Sequence, residues 1–214
     1  PSGGAAVDTY LKRLDAVGRA LTVVHTAYGD PLAERDEIAG YAGALAAQAR
    51  AVHVVGTTGL TEREIGELEK LALENGTGIA IIPNFAIGAV LMMRFAEEAS
   101  RYFAHVEIIE LHHDGKLDAP SGTAIKTAEM IVRHREGVPP SPRGQFEKYP
   151  GARGGQVNGI HVHSIRLPGL VAHQEVIFGG QGQTLSIRHD SYNRESFMPG
   201  VLLTIQKIMD IKGL

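Results

Sequence analysis

The amino-acid sequence predicts an α/β protein with two domains: a partial Rossmann-like, doubly wound parallel sheet, and a second α+β domain with a mixed or antiparallel open sheet. Two observations support this prediction. Up to residue 113, short apolar runs alternate with amphipathic or alanine-rich stretches, as they do in βαβ units. From residue 160 onward, strand-like runs follow one another and are separated only by turns rich in Gly and Pro, which is typical of antiparallel strands.

The first predicted βαβ unit covers residues 21–56. The segment LTVVHTA (21–27) has β-branched residues and stops at Gly29-Asp30-Pro31, so we expect a strand. An alanine-rich helix is expected over 31–49, with Pro31 at its first position, and AVHVVG (51–56) predicts the second strand.

The next elements continue the alternation. Thr61 and Glu64 have capping-box spacing, and an apolar face then predicts a helix over 62–74. Three more elements follow: a strand GIAIIP (78–83), a helix over 87–103, and a strand VEIIELHH (106–113). The order up to this point favours one parallel sheet.

The pattern changes after residue 120. We expect a helix over 122–135, a Pro-, Gly- and Arg-rich loop over 136–158, three strands, and a final helix; the strands cover 160–167, 171–178 and 183–189, and the helix lies within 196–211. The predicted domains are therefore residues 1–84 with the return of 195–214, and residues 85–194.

Composition excludes several classes of protein. The net charge is −3, from 21 basic and 24 acidic residues, so no nucleic-acid partner is indicated. No apolar run approaches the roughly 20 residues that cross a bilayer, so no membrane partner is expected. The chain has no Cys, which fits a reducing compartment, with the cytoplasm as the default. It begins without Met, and we expect a fragment of a longer protein.

Two segments are predicted to lie at the carboxyl ends of parallel strands, where α/β sheets bind ligands. These are Gly56-Thr57-Thr58-Gly59 and Pro83-Asn84-Phe85. Each is equally compatible with a tight turn, so both interpretations stay open at this point.

A third candidate site lies where the strand VEIIELHH ends in His112 and His113. Lys116 and a helix start at Ser121-Gly122-Thr123 follow. Lys116 and one histidine would form a cationic pocket, and the N–H groups that open the helix add partial positive charge. Such a site suits a small molecule that carries carboxylates, and either His or Lys could donate a proton.

The other histidines raise the possibility of a metal site. His161 and His163 share one strand face, which His173 and His189 could join. No carboxylate stands at ligand spacing on these strands and there is no HExxH, so we expect no metal. Three arginines could contribute to an anionic-ligand site or be ordinary surface charge: Arg166, Arg188 and Arg194.

The string ELHHDGKLDAPSGTA resembles the signature of the 4-hydroxy-tetrahydrodipicolinate reductase (dihydrodipicolinate reductase) family. Four further blocks are similar to that family in the same order: VVGTTGL, PNFAIG, HSIRLPGLVAHQEVIFGG and IRHDSYNRESFMPG. The resemblance covers about residues 52–214.

The resemblance implies a reductase of a cyclic dicarboxylate imine in diaminopimelate and lysine biosynthesis, with NADH or NADPH as the cofactor. It gives His112 and Lys116 the role of proton donors, and it gives His113, Gly122 and Thr123 the substrate carboxylates. The cofactor-binding residues would be Gly56, Thr57, Thr58, Ile82, Pro83, Asn84 and Phe85. It also implies a nucleotide-binding first domain and a second domain that binds substrate and builds a homotetramer through its C-terminal sheet.

The resemblance fails over residues 1–50, where neither the family's glycine-rich phosphate loop nor its second strand is recognisable. The preference for NAD or NADP is therefore not readable. Ile82 also stands where the family prefers a small residue. The alternatives are a non-catalytic dicarboxylate-binding or assembly module, separated from the reductase by cofactor binding, and a histidine-metal hydrolase, separated by metal analysis.

Overall fold

The structure is a computed structural model whose described residues are 21–25, 52–56, 61–133, 139, 146–208 and 210–213. The helix expected over 31–49 and the turn residues Thr57, Thr58 and Gly59 lie outside them, as does part of the loop expected over 136–158. The chain divides into two compact units. The first unit comprises residues 1–85 and 197–214, and the second comprises residues 86–196.

The first unit contains the parallel sheet that the sequence predicts. Its strands are β1 (Leu21–His25), β2 (Val52–Gly56) and β3 (Ile79–Ile81), in the order β1-β2-β3. Both pairings are parallel. The carboxyl ends of β2 and β3 are therefore neighbours at one edge of the sheet.

Two helices of the described part of the chain pack on this sheet. Helix α1 (Glu62–Asn75) begins with the expected capping box between Thr61 and Glu64, and its Leu68 and Ala72 pack against Ile79. After a 3-10 turn at Arg194–Phe197, the last helix returns to this unit at Met198–Ile208, where Ile208 packs with Val54.

The second unit is built on a five-stranded mixed sheet with two helices. In chain order it contains α2 (Ile87–Ala99), β4 (His105–His112), α3 (Gly122–Val132), β5 (Gly155–Val157), β6 (Ile160–Arg166), β7 (Ala172–Gly180) and β8 (Gln183–Ser191). The last helix of the chain, Met198–Ile208, is α4. The strand order is β5-β6-β4-β7-β8.

Strand β4 differs from what the alternation of elements favoured, although the predicted second domain, residues 85–194, includes it. It does not extend the parallel sheet of the first unit; it is the central strand of the second sheet, parallel to β6 and antiparallel to β7. The three C-terminal strands are accordingly not one antiparallel run, since β6 and β7 lie on opposite sides of β4. The alternation of elements along the chain predicts strands but not the partners that each strand chooses.

Strand β5 is a second departure, because it lies inside the loop that we expected over 136–158. It pairs antiparallel with β6 through Val157 and Ile160. The two residues between them, Asn158 and Gly159, both have positive φ, at 50° and 83°. Such a two-residue connection matches the twist of the strands that it joins.

The mixed sheet has two different faces. On one face, Ile108, Val162, Val176 and Phe178 are buried against α2 and α3. We call the opposite surface the open face; it carries Glu107, Ile109 and Leu111 of β4, His161, His163 and Ile165 of β6, and His173, Glu175 and Ile177 of β7. Apart from the buried His173, these residues are half-buried. Among the helices in the described residues, none has the length and apolar character that crossing a bilayer requires.

Candidate active site

The connection from β4 to α3 holds the candidate substrate-binding and proton-donating residues. Strand β4 ends at His112 and α3 begins at Gly122. The His112 side chain is buried, and that of Lys116 is only 11% exposed. His113, Gly122 and Thr123 are half-buried. The five residues predicted to bind substrate or donate protons thus lie on one short segment that crosses the end of the sheet.

Glu110 precedes His112 by two positions on β4, and its side chain contacts the His112 ring. Side chains alternate along a strand, so Ile108, Glu110 and His112 share the face that α2 and α3 cover. Glu110 is 0% exposed, and its Oε2 lies 2.5 Å from Nδ1 of His112. A buried carboxylate therefore supports the first histidine of the pair.

Arg166 completes the surroundings of this carboxylate. It comes from β6, where it pairs with His112 in the parallel register. Its two terminal nitrogens donate to the two oxygens of Glu110 over 2.9 and 2.7 Å, and the Ser121 N–H donates to Oε1 over 3.3 Å. Both oxygens of the buried carboxylate are therefore hydrogen-bonded, as a buried charge requires.

The environment of Glu110 lowers the pKa of its carboxyl group. Burial alone would raise its pKa, but hydrogen bonds from His112, Arg166 and the Ser164 side chain outweigh burial and hold the pKa at about 2, against an ordinary 4.5. Glu110 is therefore a carboxylate at neutral pH.

Lys116 is held by the loop that carries it. Its backbone N–H donates to the His113 carbonyl over 3.2 Å, and its ammonium group binds Oδ1 of Asp118 over 2.5 Å. The backbone carbonyl of Asp118 in turn accepts a hydrogen bond of 2.8 Å from Arg166. Arg166 consequently joins the loop of Lys116 to the carboxylate under His112.

The start of α3 supplies the other part of the site. Ser121 caps the helix by accepting from the Ala124 N–H over 3.3 Å, and Gly122 and Thr123 are its first two residues. The N-terminus of a helix carries partial positive charge and favours anions. The cationic pocket that the sequence predicts at this junction stays a prediction, and the Lys116 ammonium group is paired there with Asp118.

In the first unit, the candidate cofactor residues lie at the carboxyl ends of β2 and β3. The Ile82 N–H donates to the Val55 carbonyl over 2.8 Å, so the turn from Ile82 to Phe85 starts beside the end of β2. A Cβ on Gly56 would lie 2.7 Å from the ring of Phe85, which shows that the ring packs on the Gly56 backbone. These described residues lie at the carboxyl ends of parallel strands, which is where open α/β sheets bind ligands.

Of the remaining histidines, His161, His163 and His173 share the open face, and His189 lies on the other face. His161 bonds to the Arg153 carbonyl over 2.7 Å and His163 to Glu107 over 2.8 Å, both on the open face. His189 does not join them: it pairs with Gln174 on the helix-covered face, where its ring packs against Gly88 of α2. The described residues contain no group of three or more His, Asp or Glu side chains arranged to hold a metal ion.

Comparison with known proteins agrees with this arrangement. Residues 88–214, more than half of the chain, match the family model described as dihydrodipicolinate reductase, C-terminus. The chain belongs to the dihydrodipicolinate reductase family.

Relatives and a solved structure from this family extend the match. The 4-hydroxy-tetrahydrodipicolinate reductase of Syntrophomonas wolfei is 66% identical over 161 residues, and that of Desulfitobacterium hafniense is 58% identical over 163. These alignments cover 75% and 76% of this chain, but only 60% and 61% of the relatives' own lengths. A dipicolinate-bound dihydrodipicolinate reductase from Paenisporosarcina sp. TG-14 has a TM-score of 0.75 and 46% identity, over 91% of this chain and 70% of that one.

Two residues, Glu110 and Asp118, were overlooked in the sequence analysis. Glu110 could have been found because side chains alternate between the two faces of a strand, so the residue two positions before His112 lies on the same face as His112. Asp118 could not, since only the turn of the loop brings it to Lys116. For Arg166, a ligand site and ordinary surface charge were the two alternatives. In the structure its guanidinium group pairs with the Glu110 carboxylate.

Proposed function

We propose that this protein is an NADH- or NADPH-dependent reductase that converts 4-hydroxy-tetrahydrodipicolinate to tetrahydrodipicolinate in diaminopimelate and lysine biosynthesis. The observation that carries the proposal is the junction between β4 and α3, where His112 and Lys116 are each paired with a carboxylate next to a helix N-terminus. Family membership and the names of the relatives support the reaction. The cytoplasm is the compartment proposed for it.

The reaction consumes one reduced cofactor and one proton. The substrate loses water and gains two hydrogen atoms, one as a hydride and one as a proton, so the products are tetrahydrodipicolinate, the oxidised cofactor and water. The reduced nicotinamide supplies the hydride. The residues of this chain have to hold a dianion, orient it and deliver the proton.

We assign the substrate carboxylates to His113, Gly122 and Thr123. Gly122 and Thr123 lie in the first turn of α3, where the backbone N–H groups point outward and the helix dipole favours negative charge. The dipicolinate bound to the Paenisporosarcina reductase is itself a cyclic dicarboxylate. Preorganised positive charge beside the carboxylates lowers the electron density of the ring and favours attack by hydride.

We assign the cofactor to Gly56, Thr57, Thr58 and the turn from Ile82 to Phe85. Support comes from the edge that Gly56 and Phe85 form at the carboxyl ends of β2 and β3. The bulky Ile82 would narrow the position of the nicotinamide. Both NADH and NADPH are retained as donors.

His112 and Lys116 are proposed as the proton donors, with His112 as the principal one. For His112→Ala we expect kcat to fall by about 10²–10⁴-fold, because general acid catalysis is lost, while KM changes little. His105→Ala is the matched control, since His105 is exposed at the other end of the same strand. Steady-state rates with both cofactors measure the effect.

A loss of substrate affinity with kcat retained would contradict this assignment and make His112 a binding residue. An equal loss in the His105→Ala control would show that the effect comes from the strand and not from the site.

We also propose that the protein forms a homotetramer through the open face. The resemblance implies assembly through the C-terminal sheet. The open face supports it because four aliphatic side chains, Ile109, Leu111, Ile165 and Ile177, are half-buried there, on the surface opposite the two helices.

A further inference from the structure

Glu110 is a buried carboxylate that contacts His112 and does not itself reach the surface. Its side chain has 0% exposure, and each of its oxygens accepts more than one contact: Oε2 from His112 and Arg166, and Oε1 from Arg166 and Ser121. With its pKa held at about 2, Glu110 carries no proton at neutral pH. The hydrogen in the short contact with His112 therefore belongs to the histidine.

This assignment fixes the tautomer of His112. The ring must donate from Nδ1, so in its neutral form the lone pair is on Nε2. Within the described residues, Nε2 of His112 has no hydrogen-bond partner. His173 differs, because its Nδ1 contacts Asp190 over 2.7 Å while its Nε2 accepts from the Val171 N–H over 3.3 Å. Both ring nitrogens of His173 are therefore hydrogen-bonded within the protein, whereas Nε2 of His112 can contact a ligand.

Arg166 extends the effect of Glu110 to the second proton donor. It binds both carboxylate oxygens of Glu110 and the backbone carbonyl of Asp118, whose side chain holds the Lys116 ammonium group. A change in the Glu110–Arg166 pair would therefore move His112 directly and Lys116 through its loop.

We propose that the buried Glu110–Arg166 pair is a positioning device that holds His112 with Nδ1 protonated. Nε2 is then the atom that takes up a proton from solvent, which makes the ring an imidazolium, and gives that same proton to the substrate. The role of Nε2 toward the substrate rests on the proposed reductase function. The tautomer and the orientation of the ring do not rest on that function; they rest on the contacts of Glu110 and on its ionised state.

A purely structural ion pair would also be buried and hydrogen-bonded, so the test needs a readout that a structural role would not change. The tautomer is such a readout. In the full chain labelled with ¹⁵N, long-range ¹H–¹⁵N spectra distinguish the ring nitrogens of each histidine, and the His112 signals are those absent from His112→Asn. At a pH where the ring is neutral, we expect Nδ1 to be protonated and Nε2 to be bare.

A neutral His112 protonated on Nε2 would overturn the proposal. This measurement uses the unmutated site and requires no turnover. It therefore decides the positioning claim even if the protein proves not to be a reductase.

The kinetic test compares two carboxylates on one strand. Glu107 on the open face also serves a histidine and an arginine, His163 and Arg153, so Glu107→Gln is matched in chemistry to Glu110→Gln but lies away from His112. We expect Glu110→Gln to lower kcat about 10²-fold with KM changed less than about threefold, and Glu107→Gln to have little effect in preparations with the same oligomeric state. Glu110→Asp should restore part of the lost rate.

A folded Glu110→Gln variant with wild-type kcat would overturn the proposal, as would equal losses in both variants. If Glu110→Gln does not fold, the spectra of the unmutated protein and the rate of Glu110→Asp still decide the proposal. An absence of reductase activity in every form, including wild type, would instead refute the proposed function and leave the tautomer result standing.

Discussion

Glu110 illustrates how burial and hydrogen bonding compete at a single residue. Burial opposes the charged form of the carboxylate, yet its His112 and Arg166 partners reverse that effect and lower the pKa to about 2. Removing either partner would leave a buried charge without full compensation, which costs several kcal/mol in typical proteins. The residue is therefore tied to its neighbours on β4, β6 and the loop that follows β4.

The lowered pKa of Glu110 makes stability depend on pH in a defined window. Because the folded pKa lies below the ordinary 4.5, the stabilisation is fully present above about pH 4.5 and is lost as the pH falls toward 2. The loss is expected to reach about 3 kcal/mol in the free energy of unfolding. Urea unfolding at several pH values measures it in the wild type and in Glu110→Gln.

The variant should show a shallower decline between pH 5 and 2, since its residue 110 cannot titrate. Parallel curves for the two proteins would show that Glu110 is not the source of the acid sensitivity.

At the residue scale, the sequence identified what lies close together along the chain. His112, His113 and Lys116 fall within five residues, so their shared location needed no knowledge of the fold. Arg166 lies 56 positions from Glu110, and its pairing depends on the parallel register between β4 and β6. A pairing between residues so far apart in the sequence depends on which strands are neighbours in the sheet, and the local sequence pattern does not give that information.

At the element scale, prediction succeeded where local chemistry decides. The capping box at Thr61 and Glu64 correctly placed the start of α1, and the turn residues after β7 separated it from β8. Strand β5 was missed because the surrounding residues are rich in Gly and Arg. Its Asn158-Gly159 turn is nevertheless a strong hairpin pattern, and it would have predicted the pairing with β6.

The proposed homotetramer assembles through the open face of the sheet. Ile177 lies on this face of β7, so Ile177→Glu would place a charge in the proposed contact, where burial without a partner is unfavourable. The wild type is proposed to be a tetramer, and we expect this variant to have a smaller mass than the wild type by light scattering. Phe95→Glu is the control, because Phe95 is an exposed apolar residue on α2, 56% accessible, on the other side of the sheet.

A tetramer that persists in Ile177→Glu would contradict assembly through the open face. Dissociation of both variants would show that the effect is not specific to this face.

At the scale of the whole molecule, the proposed cofactor residues and the proposed substrate residues belong to different compact units, each described by itself. The cofactor residues from Gly56 to Phe85 lie in the first unit, and the substrate residues from His112 to Thr123 lie in the second. Each part was predicted from its place at the end of a strand. The proposed reaction needs both sets of residues, so its assay uses the full chain.

The proposed reductase is best tested by the consumption of NADH and of NADPH, read by absorbance, while dihydrodipicolinate synthase supplies the substrate. We expect oxidation of at least one cofactor, and we expect this oxidation to require the synthase and to be strongly reduced in His112→Ala. An unchanged absorbance, in protein that still binds dipicolinate by calorimetry, would contradict the reductase and leave a dicarboxylate-binding protein in its place.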